Sequence, residues 1–139
     1  MSEENTEVVR KSFDAIGRGD LDSLLELYDP DIEFQPLTGT RVETGGYRGH
    51  KGVRDYFEEA AEVWDEVRPV AGQITTTDDE VIVFGHCAIR GRASEIETES
   101  PCAWVVTVRD GKITRHRVFG SSEEALEAAG LSSARDSQM

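Results

Sequence analysis

Apolar positions recur along this chain with two different periods, and the change from one to the other divides it into a helical first part and a β-rich second part. From about Glu4 to Gly17, the residues Val9, Phe13 and Ile16 share one helical face, and Gly17-Arg18-Gly19 breaks the pattern. Asp20 then caps a short second helix whose stripe is Leu21, Leu24, Leu25 and Tyr28, and Pro30 stops it. Ile32 and Phe34 alternate with Glu33 and Gln35, as in a half-buried strand. Pro36 to Gly49 is glycine-rich and aperiodic and reads as a loop. From Lys51 to about Trp64, the residues Val53, Tyr56, Phe57, Ala60 and Trp64 form a third helical stripe.

Four β-rich stretches follow. The first, Val67 to Thr77, is weakly patterned and ends in an Asp78-Asp79 turn; Val81 to Arg92 and Ile96 to Arg109 come next. Asp110-Gly111 is a hairpin signal leading into Lys112 to Phe119. Ser121 with Glu124 three residues on is a capping box for a last helix, and Gly130-Leu131 fits its stop. The order helix, helix, strand, helix, antiparallel meander predicts an α+β fold with the helices on one side of a sheet. Residues 1–131 form one domain in this reading, and 132–139 a polar tail expected to be disordered.

The chain has 139 residues, enough for one core without disulfide or metal staples. Its 28 acidic residues against 15 Lys and Arg give a formal charge of −13, which disfavours nucleic acid and anionic membrane surfaces as partners. Met1 to Asn5 is polar and acidic, unlike a secretory signal, and no apolar run reaches the roughly 18 residues of a spanning helix. A cytoplasmic location with reduced thiols is the expectation. Cys87 and Cys102 lack metal-site spacing, and neither a metal nor a cofactor is expected. In Pro101 to Val108, Cys102, Trp104, Val106 and Val108 alternate with Ala103, Val105 and Thr107, so both faces are apolar. Such a strand is covered on both sides. The face bearing Trp104 is the expected surface of a homodimer, with packing under the last helix as the alternative.

Several segments resemble SnoaL-like and ketosteroid-isomerase-like proteins of the nuclear-transport-factor-2-like superfamily. They are Val8 to Phe13 running through Gly19-Asp20-Leu21-Asp22, Leu27 to Phe34, Tyr47 to Gly52, and Val108 to Ile113. The resemblance implies a cone-shaped barrel: a curved antiparallel sheet packed on three N-terminal helices, with a short C-terminal helix. It also implies a pocket between helices and sheet, and often a dimer. It does not fix an activity. Aligned with ketosteroid isomerases, this chain has Ser12 at the tyrosine position, Gln35 or Pro36 at the base position, and Ala103 near the later aspartate. The last strand has no acid near Val118, where limonene-epoxide hydrolases need one. Both catalytic sets are absent.

Strand alternation suggests what faces the pocket instead. If Phe84 points inward, so does His86; if Val118 does, so does His116. His86 and His116 are therefore the candidate acid/base pair. The candidate pocket residues are Ser12, Phe34, Tyr56, Phe84, Ala103, Val105 and Val118. His50 reads as a capping or solvent-facing residue. The run of Arg90, Arg92, Arg109, Lys112, Arg115 and Arg117 reads as solvated strand-edge charge. The leading expectation is a protein that binds a small lipophilic or ring-containing metabolite in a mostly apolar pocket. The alternatives are an acid/base enzyme of the isomerase, polyketide-cyclase or hydratase kind using a pocket histidine, and a non-catalytic dimerisation module.

Overall fold

A computed structural model describes residues 2–37, 45–77 and 79–130. The Asp78 position of the expected turn, Leu131 and the tail 132–139 lie outside the described residues. The elements follow in the order α1 (Ser2–Arg18), α2 (Leu21–Leu27), β1 (Tyr28–Gln35), β2 (Tyr47–Arg48), α3 (Gly49–Val63), β3 (Trp64–Thr76), β4 (Glu80–Gly91), β5 (Glu97–Arg109), β6 (Lys112–Phe119) and α4 (Ser122–Ala128). The strands form one sheet in the order β2-β1-β6-β5-β4-β3. This is the expected α+β arrangement. Three details differ from the sequence reading: Tyr47 and Arg48, inside the expected loop Pro36 to Gly49, form the short strand β2, and the other two concern pairing. β1 pairs with β6 in parallel, and the sheet is open, with β2 and β3 as its edges. Register shifts within β3 (Ala71/Gln73), between β5 and β6 (Thr107/Val108) and between β1 and β6 (Tyr28/Glu33) mark the places where the strands bend.

The local signals act as written. Gly19 takes φ +71 after α1, and Asp20 accepts a hydrogen bond from the Ser23 amide to start α2. Ser121 accepts from the Glu124 amide, the N-cap bond of a capping box, and its hydroxyl also donates to the Glu124 carboxylate. Boundaries moved where tertiary pairing outweighed helical spacing. Tyr28 begins β1 rather than ending a helix, and Trp64 begins β3. His50 Nε2 lies 2.9 Å from the Tyr28 carbonyl and ties the start of α3 to β1, so it neither caps its own helix nor simply faces solvent.

Each sheet face has its own core. Toward α1 and α3 point Val81, Val83 and Cys87 of β4, Cys102, Trp104, Val106 and Val108 of β5, and Ile113 and Val118 of β6. They pack with Val9 and Phe13 of α1, Leu24 and Leu25 of α2, and Val53 of α3. The opposite face carries Ile82 and Phe84 of β4, Ala103 and Val105 of β5, and Phe119 of β6, packed with Ala125 of α4. Trp104 therefore stacks beneath the first helix, 4.9 Å between ring centroids from Phe13, and is 3% exposed. Within the chain, the helix layer therefore covers the Trp104 face, the surface expected to meet a second subunit.

The run of basic residues proves to be largely paired. Arg90 and Arg92 reach Asp65, Arg109 reaches Asp79, Arg117 reaches Glu80, and Lys112 donates to the Glu26 carbonyl. These contacts tie five of the six basic residues to neighbouring elements.

β3 and β4 approach most closely at two glycines. A Cβ on Gly85 would overlap the Val70 carbonyl oxygen, and one on Gly72 would sit 2.7 Å from the Phe84 oxygen. The obstacle is backbone in both cases, so no side chain can yield. Gly85→Ala is expected to destabilise by about 2–3 kcal/mol, the upper part of the overpacking range. The midpoint of urea unfolding reads this directly, and an unchanged midpoint would show that the two strands do not cross so tightly.

Candidate functional site

Between the helix layer and the sheet lies a cavity of about 250 Å³. The helices contribute Ile16 of α1 and Tyr56 and Phe57 of α3, and Phe34, Pro36 and Leu37 close one side. The sheet contributes Trp64, Val67 and Pro69 of β3, Cys87 and Ile89 of β4, Ser100, Cys102 and Trp104 of β5, and His116 and Val118 of β6. No Asp or Glu lies among these residues. Phe34 is the hub of the aromatic wall, 5.1 Å from Tyr56, 5.9 Å from Phe57 and 5.0 Å from His116 between ring centroids.

His116 is the buried polar group of this wall, at 1% exposure. The Tyr28 hydroxyl is 3.0 Å from its Nδ1. Burial raises the Tyr28 phenol far above its ordinary value, so it stays protonated. With the phenol as donor, its proton goes to Nδ1. Burial also pushes the imidazole down to about 4, leaving it neutral at pH 7. A neutral imidazole accepting at Nδ1 carries its proton on Nε2. Nε2 makes no hydrogen bond among the described residues. The ring thus lines the cavity as a neutral donor with one edge locked.

Of the residues expected at the site, Phe34, Tyr56, His116 and Val118 come together here. The others do not. Ser12 is fully buried and donates back to the Val9 carbonyl at 2.7 Å within α1. Phe84, Ala103 and Val105 belong to the opposite core under α4. His86 shares that opposite face, 3.6 Å from Glu99 and 39% exposed. The expected His86/His116 pair is corrected accordingly: the sheet separates the two rings. β4 has apolar residues on both faces, and taking Phe84 as inward put the whole strand one residue out of phase.

A signal against that choice was present. The even set of β4 contains Glu80, His86 and Arg90, whereas the odd set (Val81, Val83, Gly85, Cys87, Ile89) is uncharged. Likewise Glu97 and Glu99 share the phase of Ala103 and Val105 on β5. Charge therefore marks the outward face on both strands. The sequence reading missed the two thiols and Trp104 as cavity residues for this one reason.

A helix-roofed, curved sheet over a largely apolar cavity is the architecture of an NTF2-like fold. The model of the SnoaL-like domain matches residues 9–116, and the chain belongs to that family. An uncharacterized protein of Mycobacterium tuberculosis is 31% identical over 124 residues, covering 88% of this chain and 92% of its own. Among solved structures, an NTF2-like protein of unknown function from Burkholderia pseudomallei superposes with a TM-score of 0.75 at 19% identity, over 89% of this chain and 95% of that one. TerC, co-crystallized with polyporic acid, gives a TM-score of 0.75 at 23% identity over 89% and 96% of the two chains. At these identities the two structures establish the fold.

Among the described residues no helix is long and apolar enough to cross a membrane, and no group of three His, Cys, Asp or Glu side chains is placed to hold a metal ion.

Proposed function

We propose that this protein binds a small ring-containing, mostly apolar molecule carrying an acceptor oxygen, with the ring against Phe34, Tyr56 and Trp104 and the oxygen on His116 Nε2–H. One observation carries the reading: a buried, neutral imidazole donor locked by Tyr28 and set in an otherwise apolar cavity. Such sites typically combine apolar walls with a few placed polar groups. The cavity, about 250 Å³, lies just under the roughly 300 Å³ at which drug-sized sites begin, which favours one or two rings over a steroid-sized skeleton.

The acid/base reading has less support. A general base works best with a pKa near the operating pH. His116 is held near 4, its Nδ1 is occupied and its Nε2 already carries the proton. It is configured to polarise a carbonyl as a neutral donor. Among the described residues no carboxylate lines the cavity to take a proton from the activated molecule. Binding without turnover fits this inventory better than isomerisation or cyclisation.

The test is a thermal-shift screen against small aromatic acids, aromatic polyketides, terpenoid epoxides and steroids. A dose-dependent rise in melting temperature for one- or two-ring carbonyl compounds is the expected result. Val118→Trp, which fills the cavity, should abolish the rise, and Phe84→Leu on the opposite face should leave it intact. No response to any compound, or equal responses in wild type and Val118→Trp, would sink the proposal.

A further inference from the structure

The two cysteines meet in the cavity wall. In the β4–β5 register Cys102 faces Gly85 and Cys87 faces Ser100, so the thiols are diagonal neighbours on the same sheet face. Both are free and both line the cavity. Their nearness makes them unequal: Cys102 beside it, together with burial, pushes the Cys87 thiol up, while Cys87 holds the Cys102 thiol below its ordinary value. Diagonal partners in antiparallel strands have Cα atoms about 7–8 Å apart. A disulfide needs backbone movement beyond about 7 Å. The pair is therefore built to remain a dithiol, with a gap that one bridging atom can span.

We propose that Cys87 and Cys102 form a binding site for a trivalent, thiophilic centre carrying one apolar group, of which a monosubstituted arsenous compound is the simplest. Three observations select this class. Among the described residues no third His, Cys, Asp or Glu joins the pair, so a tetrahedral zinc set is not available. A charged dithiolate complex would be penalised in an apolar cavity, whereas the product here is neutral. The remaining substituent has a seat ready beside Trp104 and Val118.

In the binding step an R–As(OH)2 molecule meets two thiols. Two As–S bonds form, two As–O bonds break, and the two thiol protons leave with the hydroxyl oxygens as two waters. Arsenic stays trivalent, and no oxidant or reductant is required. The seat for the apolar group rests on the reading of the cavity as a ring-binding site; the dithiol itself does not.

The test is titration of the full chain with phenylarsine oxide and, separately, with methylarsonous acid, followed by native mass spectrometry and a count of free thiols. One adduct per chain, loss of both free thiols, and tighter binding of the phenyl than of the methyl compound are expected. Cys87→Ser and Cys102→Ala should each weaken binding at least a hundredfold while keeping the wild-type circular-dichroism spectrum. Should Cys102→Ala fail to fold, Cys102→Ser replaces it. Binding unchanged in both single variants, or crosslinking of two chains by one arsenic, would overturn the proposal. Ready formation of an intrachain disulfide under diamide would also overturn it. Equal affinity for the phenyl and methyl compounds with both thiols consumed would overturn the apolar seat, and with it the ring-binding reading, while supporting the dithiol.

Discussion

Trp104→Ala is expected to cost about 3–5 kcal/mol of unfolding free energy, the range for emptying a buried large aromatic side chain. Trp104 is 3% exposed, its ring meets Phe13 of α1, and it forms part of the cavity wall. Its removal merges the cavity with a void under the helix, where neighbours on a hydrogen-bonded central strand cannot collapse to fill it. Trp104→Phe should restore most of the loss. Urea unfolding at neutral pH measures both. A loss below about 1 kcal/mol would mean that the Trp104 face is not covered by α1 and would return it to consideration as a subunit surface.

The second large effect is a dependence on acid that His116 confers. Burial holds the folded-state imidazole near 4, against 6.5 for an ordinary histidine. Below pH 6.5 the unfolded chain takes up a proton that the folded chain refuses until about pH 4. The stabilisation is thus fully present above 6.5 and is lost as the pH falls toward 4. By linkage, the share of this single group is about 2 kcal/mol between pH 7.5 and 5, and about 3 kcal/mol in full. Carboxylates contribute to the same profile, so the informative quantity is a difference. His116→Gln should be less stable than wild type at pH 7.5 yet lose about 2 kcal/mol less on going to pH 5. Parallel profiles for the two proteins would show that the ring is not buried in neutral form.

How much of this was legible beforehand depends on which physical quantity is asked for. The third helix, the hairpin at Asp110-Gly111 and the capped last helix were readable because periodicity, turn chemistry and caps act within a few residues of themselves. Tyr28 and Trp64 were assigned to helices that end one residue earlier. Each lies at a junction where helical spacing and strand pairing compete, and pairing with a distant strand won.

The make-up of the cavity wall was half legible. Phe34, Tyr56, His116 and Val118 were found because each sits in an element with a single unambiguous apolar phase or was aligned with one. Phe84, Ala103, Val105 and His86 were misassigned because β4 and β5 are apolar on both faces. On such strands the choice of face depends on what covers each side.

The sequence by itself determined the α+β class, the family and most of the order of elements, because these depend on local propensity and on which residue types are present. Only the tertiary structure decided that the parallel β1–β6 pairing carries Tyr28 to His116, that the sheet divides the two histidines, and that the two cysteines share the cavity. These are relations between strands distant in the chain. A one-residue change of phase, nearly neutral in local sequence terms, reverses which side chains meet.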